Sequence, residues 1–322
     1  MQDLDPRSLR AIAKAAAGLQ CTIDGTLFQL QPIGQHLETT IVDLRALHDV
    51  ARTRLLGELI AAHRRFVEDV EDVEDVEEER IRAALLPSNA VRSILCVYRD
   101  GAGMAVGYLA AHTFILPIDG VSTSLLRTVI CVPAGASRRS VSAFFLRQAA
   151  RALVDSRGRP LYMIEALSDP ASYAWLYRVA DRIWPSPARE TPLAIQHLRA
   201  QAIGDLGIPQ SQGERAGECA DDHDDAVIRE LGRSSMDPTI ARRWRRHPRP
   251  EVHYFVRRNP GFDRGHGLLT VVPISAAGLL RALLRLALGG LRRLLPGGAP
   301  ALGRALPPAS AQGRYESDQH RR

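Results

Sequence analysis

A chain of 322 residues, 45% of them hydrophobic, can bury one sizeable core or two small ones, and its 24% charged fraction is that of a soluble globular protein. The net charge of +6 is uneven: residues 240–322 carry 16 Arg against 4 acidic residues. No C-x-x-C pair, signal peptide or uninterrupted apolar span is visible, which argues against a zinc site, a disulfide framework and a membrane-crossing chain, and sets a cytoplasmic location as the expectation.

Residues 1–19 read as a short helix with Leu9, Ile12, Ala15 and Ala16 on one face. Asp24-Gly25 signals a turn, and residues 26–33 (TLFQLQPI) read as an edge strand because of Pro32. A long helical stretch is expected over residues 41–86. Ile41, Leu44, Leu47, Ala51, Leu55, Leu59 and Ala62 recur there at steps of three and four. The acidic triplets from Glu68 to Glu79 read as a solvated helix face.

Residues 93–98 (SILCVY), 105–115 and 125–132 (LLRTVICV) read as three strands. The short turns at 99–103 and 116–120 make them an antiparallel meander. Cys96 and Cys131 lie in these apolar runs and are expected to be small buried hydrophobes. A helix follows over 141–154 and ends at Arg157-Gly158. Next comes a strand over 161–167 (LYMIEAL), then a helix started by Asp169 as N-cap and Pro170 at N1, which stops before Pro185. Residues 206–225 read as a polar linker. The segments 251–257 (EVHYFVR) and 268–274 (LLTVVPI) read as a hairpin around Asn259-Pro260-Gly261. Residues 276–295 form a Leu/Arg helix, and 296–322 read as a disordered tail.

This order of elements resembles the GNAT superfamily of acetyl-CoA-dependent N-acetyltransferases over roughly residues 26–274. The expected fold class is therefore α/β (α+β). A GNAT-like mixed sheet holds an antiparallel meander flanked by helices, with a long helical N-terminal region and a basic C-terminal helix. The expected organisation is a single domain over 1–295 with a helical insertion at about 185–250. In the family, the last meander strand feeds a helix whose N-terminal amides hold the acetyl-CoA pyrophosphate. The resemblance places that site at Val132, Ser137, Arg138, Arg139 and Ser140. The family's pattern [Gln/Arg]-x-x-Gly-x-[Gly/Ala] is replaced here by Ala136, Arg139 and Val141, a diverged phosphate loop. Arg138 and Arg139 could supply phosphate contacts directly.

The helix after Pro170 carries Leu176-Tyr177, similar to the family's final motif, whose Tyr protonates the leaving thiolate of CoA. The family's upstream Asn is replaced by Pro170. By that resemblance Tyr177 is the general acid; packing on an amphipathic face is the other reading. Glu165, on the preceding strand, is the candidate base. The implied reaction is direct transfer of an acetyl group from acetyl-CoA to a small-molecule or peptide amine. The alternative is a non-catalytic GNAT-fold module acting through its Arg-rich C-terminal part on a partner protein or a membrane surface.

Other constellations fail. There is no nucleophile elbow, Walker loop or dinucleotide fingerprint, and no metal is expected of the acidic loop 221–225. Lys14 is the only lysine, so the basic end reads as the Arg bias of a bacterial-like, GC-rich coding composition before it reads as a nucleic-acid surface. In 276–295, Arg281, Arg285 and Arg292 lie apart from Leu279, Leu283, Leu286 and Leu294. That pattern suits packing on protein, or peripheral contact with a membrane.

Overall fold

The computed structural model describes residues 37–67, 74–132, 138–208, 227–229 and 236–294. In chain order the elements are β1 (Glu38–Asp43), α1 (Asp49–Val67), α2 (Glu74–Leu85), β2 (Arg92–Arg99), β3 (Ala105–Ile118) and β4 (Val121–Cys131). After these come α3 (Arg138–Asp155), β5 (Leu161–Leu167), α4 (Pro170–Val179), α5 (Leu193–Asp205) and β6 (Val227–Arg229). The last are α6 (Pro238–Arg245), α7 (Pro250–Arg258), β7 (His266–Pro273) and α8 (Ala276–Leu294). The seven strands form one mixed sheet in the order β1-β2-β3-β4-β5-β7-β6. Every neighbouring pair is antiparallel except β4 and β5, which are parallel.

Alternation along the strands sends side chains to two helical layers. Tyr108 and Ala110 of β3 join Leu55, Leu59 and Leu85 of α1 and α2 on one face. Phe114, Leu125 and Val271 meet Ile195, Leu198 and Ala202 of α5 beside them. On the opposite face, Leu109, Ala111 and Leu126 pack on Phe144, Ala149 and Ala152 of α3. There too, Leu268 and Val272 of β7 pack on α4, α6 and α7 through Tyr173, Trp244 and Phe255.

The expected meander, the helix after it and the strand at 161–167 are all present. So is the start of α4: Asp169 caps it, accepting from the amides of Ala171 and Ser172, with Pro170 as its first residue. Cys96 and Cys131 are buried free thiols, and burial raises the Cys96 pKa to about 11.

Two expectations need correcting. Residues 41–43 belong to β1, not to a helix running from Ile41. Thr39, Thr40, Ile41 and Val42 are four β-branched residues in succession, stiff at χ1 and suited to a strand. Asp43 ends the strand by accepting the Arg45 amide at 3.0 Å. The segment 251–257 is helix α7, not the first strand of a hairpin. Val252, Tyr254 and Phe255 are buried while His253 and Arg257 are exposed, a helical spacing, and Pro250 stands at the first turn. β7 instead lies between β5 and β6, antiparallel to both, with Val227 of β6 paired to Leu268. Residues 1–36, 68–73, 209–226 and 295–322, which carry several of the sequence expectations, lie outside the described residues.

Helix α8 lies on protein through its first half. Leu279, Ala282 and Leu283 are buried, Arg281 pairs with Asp181, and Arg285 donates to the carbonyls of Arg178 (3.1 Å), Val179 (2.9 Å) and Ala180 (3.3 Å). Those carbonyls are the orphan acceptors at the C-terminus of α4. Replacing Arg285 with Ala is expected to lower stability by about 1 kcal/mol, the worth of a helix-terminal cap. A urea midpoint unchanged from the parent would contradict this. Among the described residues no helix is long and apolar enough to cross a membrane.

Candidate functional site

The sheet opens between its two parallel strands. Hydrogen-bonded register runs from Ser124↔Leu161 to Arg127↔Ile164 and stops there. Beyond that point β4 stays paired with β3 as far as Cys131, while β5 stays paired with β7 as far as Leu167. The two strands are therefore unpaired with each other toward their C-terminal ends, a break in the ladder, or slot, between residues 128–131 and 165–167. Helix α3 follows β4 and helix α4 follows β5, so the N-termini of both helices lie at the open end of the slot. The first-turn amides of an α-helix have no intrahelical acceptor and carry partial positive charge.

Glu165 stands at the apex of the opening. It would oppose Thr128 if the ladder continued; instead its carboxylate accepts from the Thr128 amide at 3.2 Å and from the Thr128 hydroxyl. Its own carbonyl accepts from the Thr270 hydroxyl at 2.9 Å. Glu165, Thr128 and Thr270 are all buried. A buried carboxylate needs such donors, and here Thr128 supplies two of them while Thr270 serves the backbone carbonyl.

Ser140 lies in the first turn of α3 and is exposed. Its hydroxyl lies beside the Tyr98 phenol of β2. Burial raises the Tyr98 pKa, and the Ser140 contact opposes part of that rise. Val132 packs at the edge of the α3 core cluster. Arg138 and Arg139 open α3; Ser137 lies outside the described residues. Tyr177 sits two turns into α4, half-buried, with its ring stacked on Tyr173 at 6.3 Å in the cluster between α4 and α7. Thus Glu165 stands where the β4–β5 ladder stops, Val132 lies against the α3 core cluster, Ser140 lies beside Tyr98 of β2, and Tyr177 belongs to the aromatic packing of α4. Among the described residues no group of His, Cys, Asp and Glu could hold a metal ion.

The sequence reading missed Thr128 and Thr270, the two hydroxyls that serve Glu165. The available signal was positional: a Glu in the apolar run 161–167 needs partners on adjacent strands, and Thr128 and Thr270 are the polar residues with hydroxyls there. Glu165→Gln keeps the volume but removes the charge that strengthens both Thr128 bonds. It is expected to cost about 1–2 kcal/mol in urea unfolding. A variant as stable as the parent would show that the apex bonds contribute nothing.

A parallel pair opening at the fourth and fifth strands, with the seventh strand between the fifth and sixth, settles the architecture. This is a mixed sheet with an antiparallel meander flanked by helices, as the sequence resemblance implies. No protein-family model and no curated protein matches the sequence. Solved structures do match part of it. A conserved protein from Enterococcus faecalis V583 is 12% identical over 44% of this chain and 32% of its own, with a TM-score of 0.30. A GNAT family N-acetyltransferase from Escherichia coli, in complex with CoA, is 17% identical over 45% of this chain and 70% of its own, at 0.28. An aminoglycoside acetyltransferase from an uncultured soil metagenomic sample is 21% identical over 49% of this chain and 98% of its own, at 0.29. The chain spans about a third of the Enterococcus protein's length, and the three likenesses assign it no substrate.

Proposed function

We propose that the chain is an acyl-CoA-dependent N-acyltransferase that passes an acetyl group directly to an amine. The observation that carries this reading is the slot between β4 and β5, open beyond Arg127 and Ile164, with the N-terminus of α3 at its mouth. An extended, amide-bearing chain suits such a slot by adding to the exposed edge of a strand. A pyrophosphate at its far end would meet the first-turn amides of α3, with Arg138, Arg139 and the Ser140 hydroxyl in that turn. The thioester would then lie near the apex, and the amine would attack it with no covalent enzyme intermediate. The amine nitrogen bonds to the acyl carbon, the C–S bond breaks, and the amine's proton and the thiolate's protonation balance. Glu165 is the base nearest the apex. Its bonds to Thr128 hold it in place until an acceptor competes for it. Tyr177 is the phenol proposed to return a proton to the thiolate.

Calorimetric titration of the full chain with acetyl-CoA tests the first step. Saturable binding in the micromolar range, weakened at least tenfold by Arg138→Ala/Arg139→Ala, is the expected result. Absence of heat and of any thermal shift at millimolar ligand would end this reading.

A second reading, a non-catalytic module bound to a partner through the basic C-terminal part, draws on α6. Arg242, Arg243, Arg245 and Arg246 are exposed on a helix that buries only Ala241 and Trp244. This reading expects no acetyl-CoA binding at all, so the same titration separates the two.

A further inference from the structure

A second concavity lies at the opposite end of the sheet from the slot. It has a volume of about 390 Å³ and is built where β4 and β5 begin, beside the end of α3. That volume falls within the range of small-molecule pockets, about 300–1,000 Å³.

Its charge is not balanced. Three guanidiniums, of Arg92, Arg151 and Arg159, line it against the carboxylates of Asp43 and Asp155. Asp155 takes two of the three, Arg92 at 3.0 Å and Arg151 at 3.2 Å. Asp43 accepts a backbone amide, that of Arg45. Arg159 has neutral partners: its Nε donates to the buried Ser124 hydroxyl at 3.2 Å, and its Nη2 donates to the Asp155 carbonyl at 3.1 Å. These two bonds fix the half-buried guanidinium in the wall with no carboxylate on it. Two aliphatic side chains, Val91 and Ile115, also line the cavity and are among the exposed large hydrophobic residues of the protein.

The geometry points to a binding site for a small carboxylate with an apolar body. Its head would pair with Arg159 and its body would cover Val91 and Ile115. A carboxylate fits better than a phosphate. Only one guanidinium is without a carboxylate, and a doubly charged phosphate would face Asp43 and Asp155 across the same cavity. Pairing an immobilised guanidinium and burying two exposed aliphatic side chains both favour such a ligand, and the guanidinium's two existing bonds reduce the ordering cost. The site does not depend on the acyltransferase reading, since it shares no residue with the slot.

The test is titration of the full chain with hexanoate, with hexanamide and inorganic phosphate as controls. Hexanoate is expected to bind saturably below about 1 mM, a typical limit for a ligand of eight non-hydrogen atoms. Hexanamide and phosphate are expected to bind at least tenfold more weakly. Arg159→Gln should weaken hexanoate at least tenfold, and Ile115→Ser, at an exposed position, about threefold. Should Arg159→Gln fail to fold, the Arg159 Nε–H resonance of the unaltered protein gives the answer, because hexanoate must shift it and hexanamide must not. Binding that survives Arg159→Gln, equal binding of hexanamide or phosphate, or an unmoved Arg159 resonance would overturn the assignment.

Discussion

Stability is expected to collapse as the pH falls from about 6.5 to 4, driven by two buried imidazoles. His63 of α1 and His112 of β3 are buried. Burial lowers their pKa values from 6.5 to about 4 for His63 and about 3 for His112, with Arg127 and then Arg45 adding to the His112 shift and a backbone contact at Ala84 opposing it. One ring nitrogen of each is engaged within the core, and Nε2 of each is buried without a hydrogen-bond partner among the described residues. His63 Nδ1 lies 2.8 Å from the Tyr108 hydroxyl, and His112 Nδ1 lies 3.0 Å from the Ser93 hydroxyl.

Both groups titrate lower in the folded chain than in the unfolded one. Between pH 6.5 and the folded values, the unfolded chain therefore binds more protons. The stability they contribute is complete above pH 6.5, falls as the pH drops, and is gone below their folded pKa values. At about 1.4 kcal/mol per pKa unit, the loss is on the order of 3 kcal/mol for His63 and 5 kcal/mol for His112. Against a total of about 5–15 kcal/mol for a folded chain, this is enough to unfold it. Urea unfolding at pH 7, 6, 5 and 4 should show a slope approaching two protons, about 2.7 kcal/mol per pH unit near pH 5. Two imidazole C–H resonances should stay in the neutral position down to pH 5. Flat stability from pH 7 to 4.5, or both resonances titrating near 6.5, would contradict the prediction.

Where local chemistry and burial agree, the sequence was legible. The meander shows in its turns, Asp119 and Gly120 adopt the positive φ that a tight turn asks for, and Asp169-Pro170 opens α4 through a cap that depends on those two residues alone. The same cap starts α6, where Asp237 accepts from Thr239 and Ile240, but the sequence reading missed that helix start. Legibility failed where one pattern admits two periods. Glu251 to Arg257 alternates like a strand and also spaces its large residues like a helix. Tertiary packing of Val252, Tyr254 and Phe255 on α4 decides between them. The slot was the least legible feature. It depends on where a parallel ladder stops, which is set by side chains from three strands meeting at Glu165. A linear reading can name Glu165 but not the register that puts Thr128 opposite it.

Tyr173→Ala is expected to cost about 4 kcal/mol, the loss typical of deleting a large buried ring. Tyr173 is fully buried, and its ring stands between Tyr177 (6.3 Å), Tyr254 (6.2 Å) and Phe255 (5.4 Å). Its hydroxyl donates to the Pro185 carbonyl at 2.9 Å. Tyr173→Phe keeps the ring and leaves that carbonyl unpaired, so it should cost only about 1–2 kcal/mol. The ratio of the two losses, read from urea midpoints, measures how far ring packing outweighs the hydrogen bond; equal losses would put the hydrogen bond first. The same pair of variants bears on Tyr177, because Tyr173 is the ring on which it stacks. A general acid held by that stack loses its position in Tyr173→Ala but keeps it in Tyr173→Phe, so transfer from acetyl-CoA should fall sharply in the first and little in the second. On the proposed reading, Tyr177→Phe should then abolish transfer without moving the urea midpoint, since it removes the proposed proton donor and leaves the stack. If Tyr177→Phe transfers as fast as the parent, Tyr177 is a packing residue of the α4–α7 interface, and the thiolate takes its proton elsewhere.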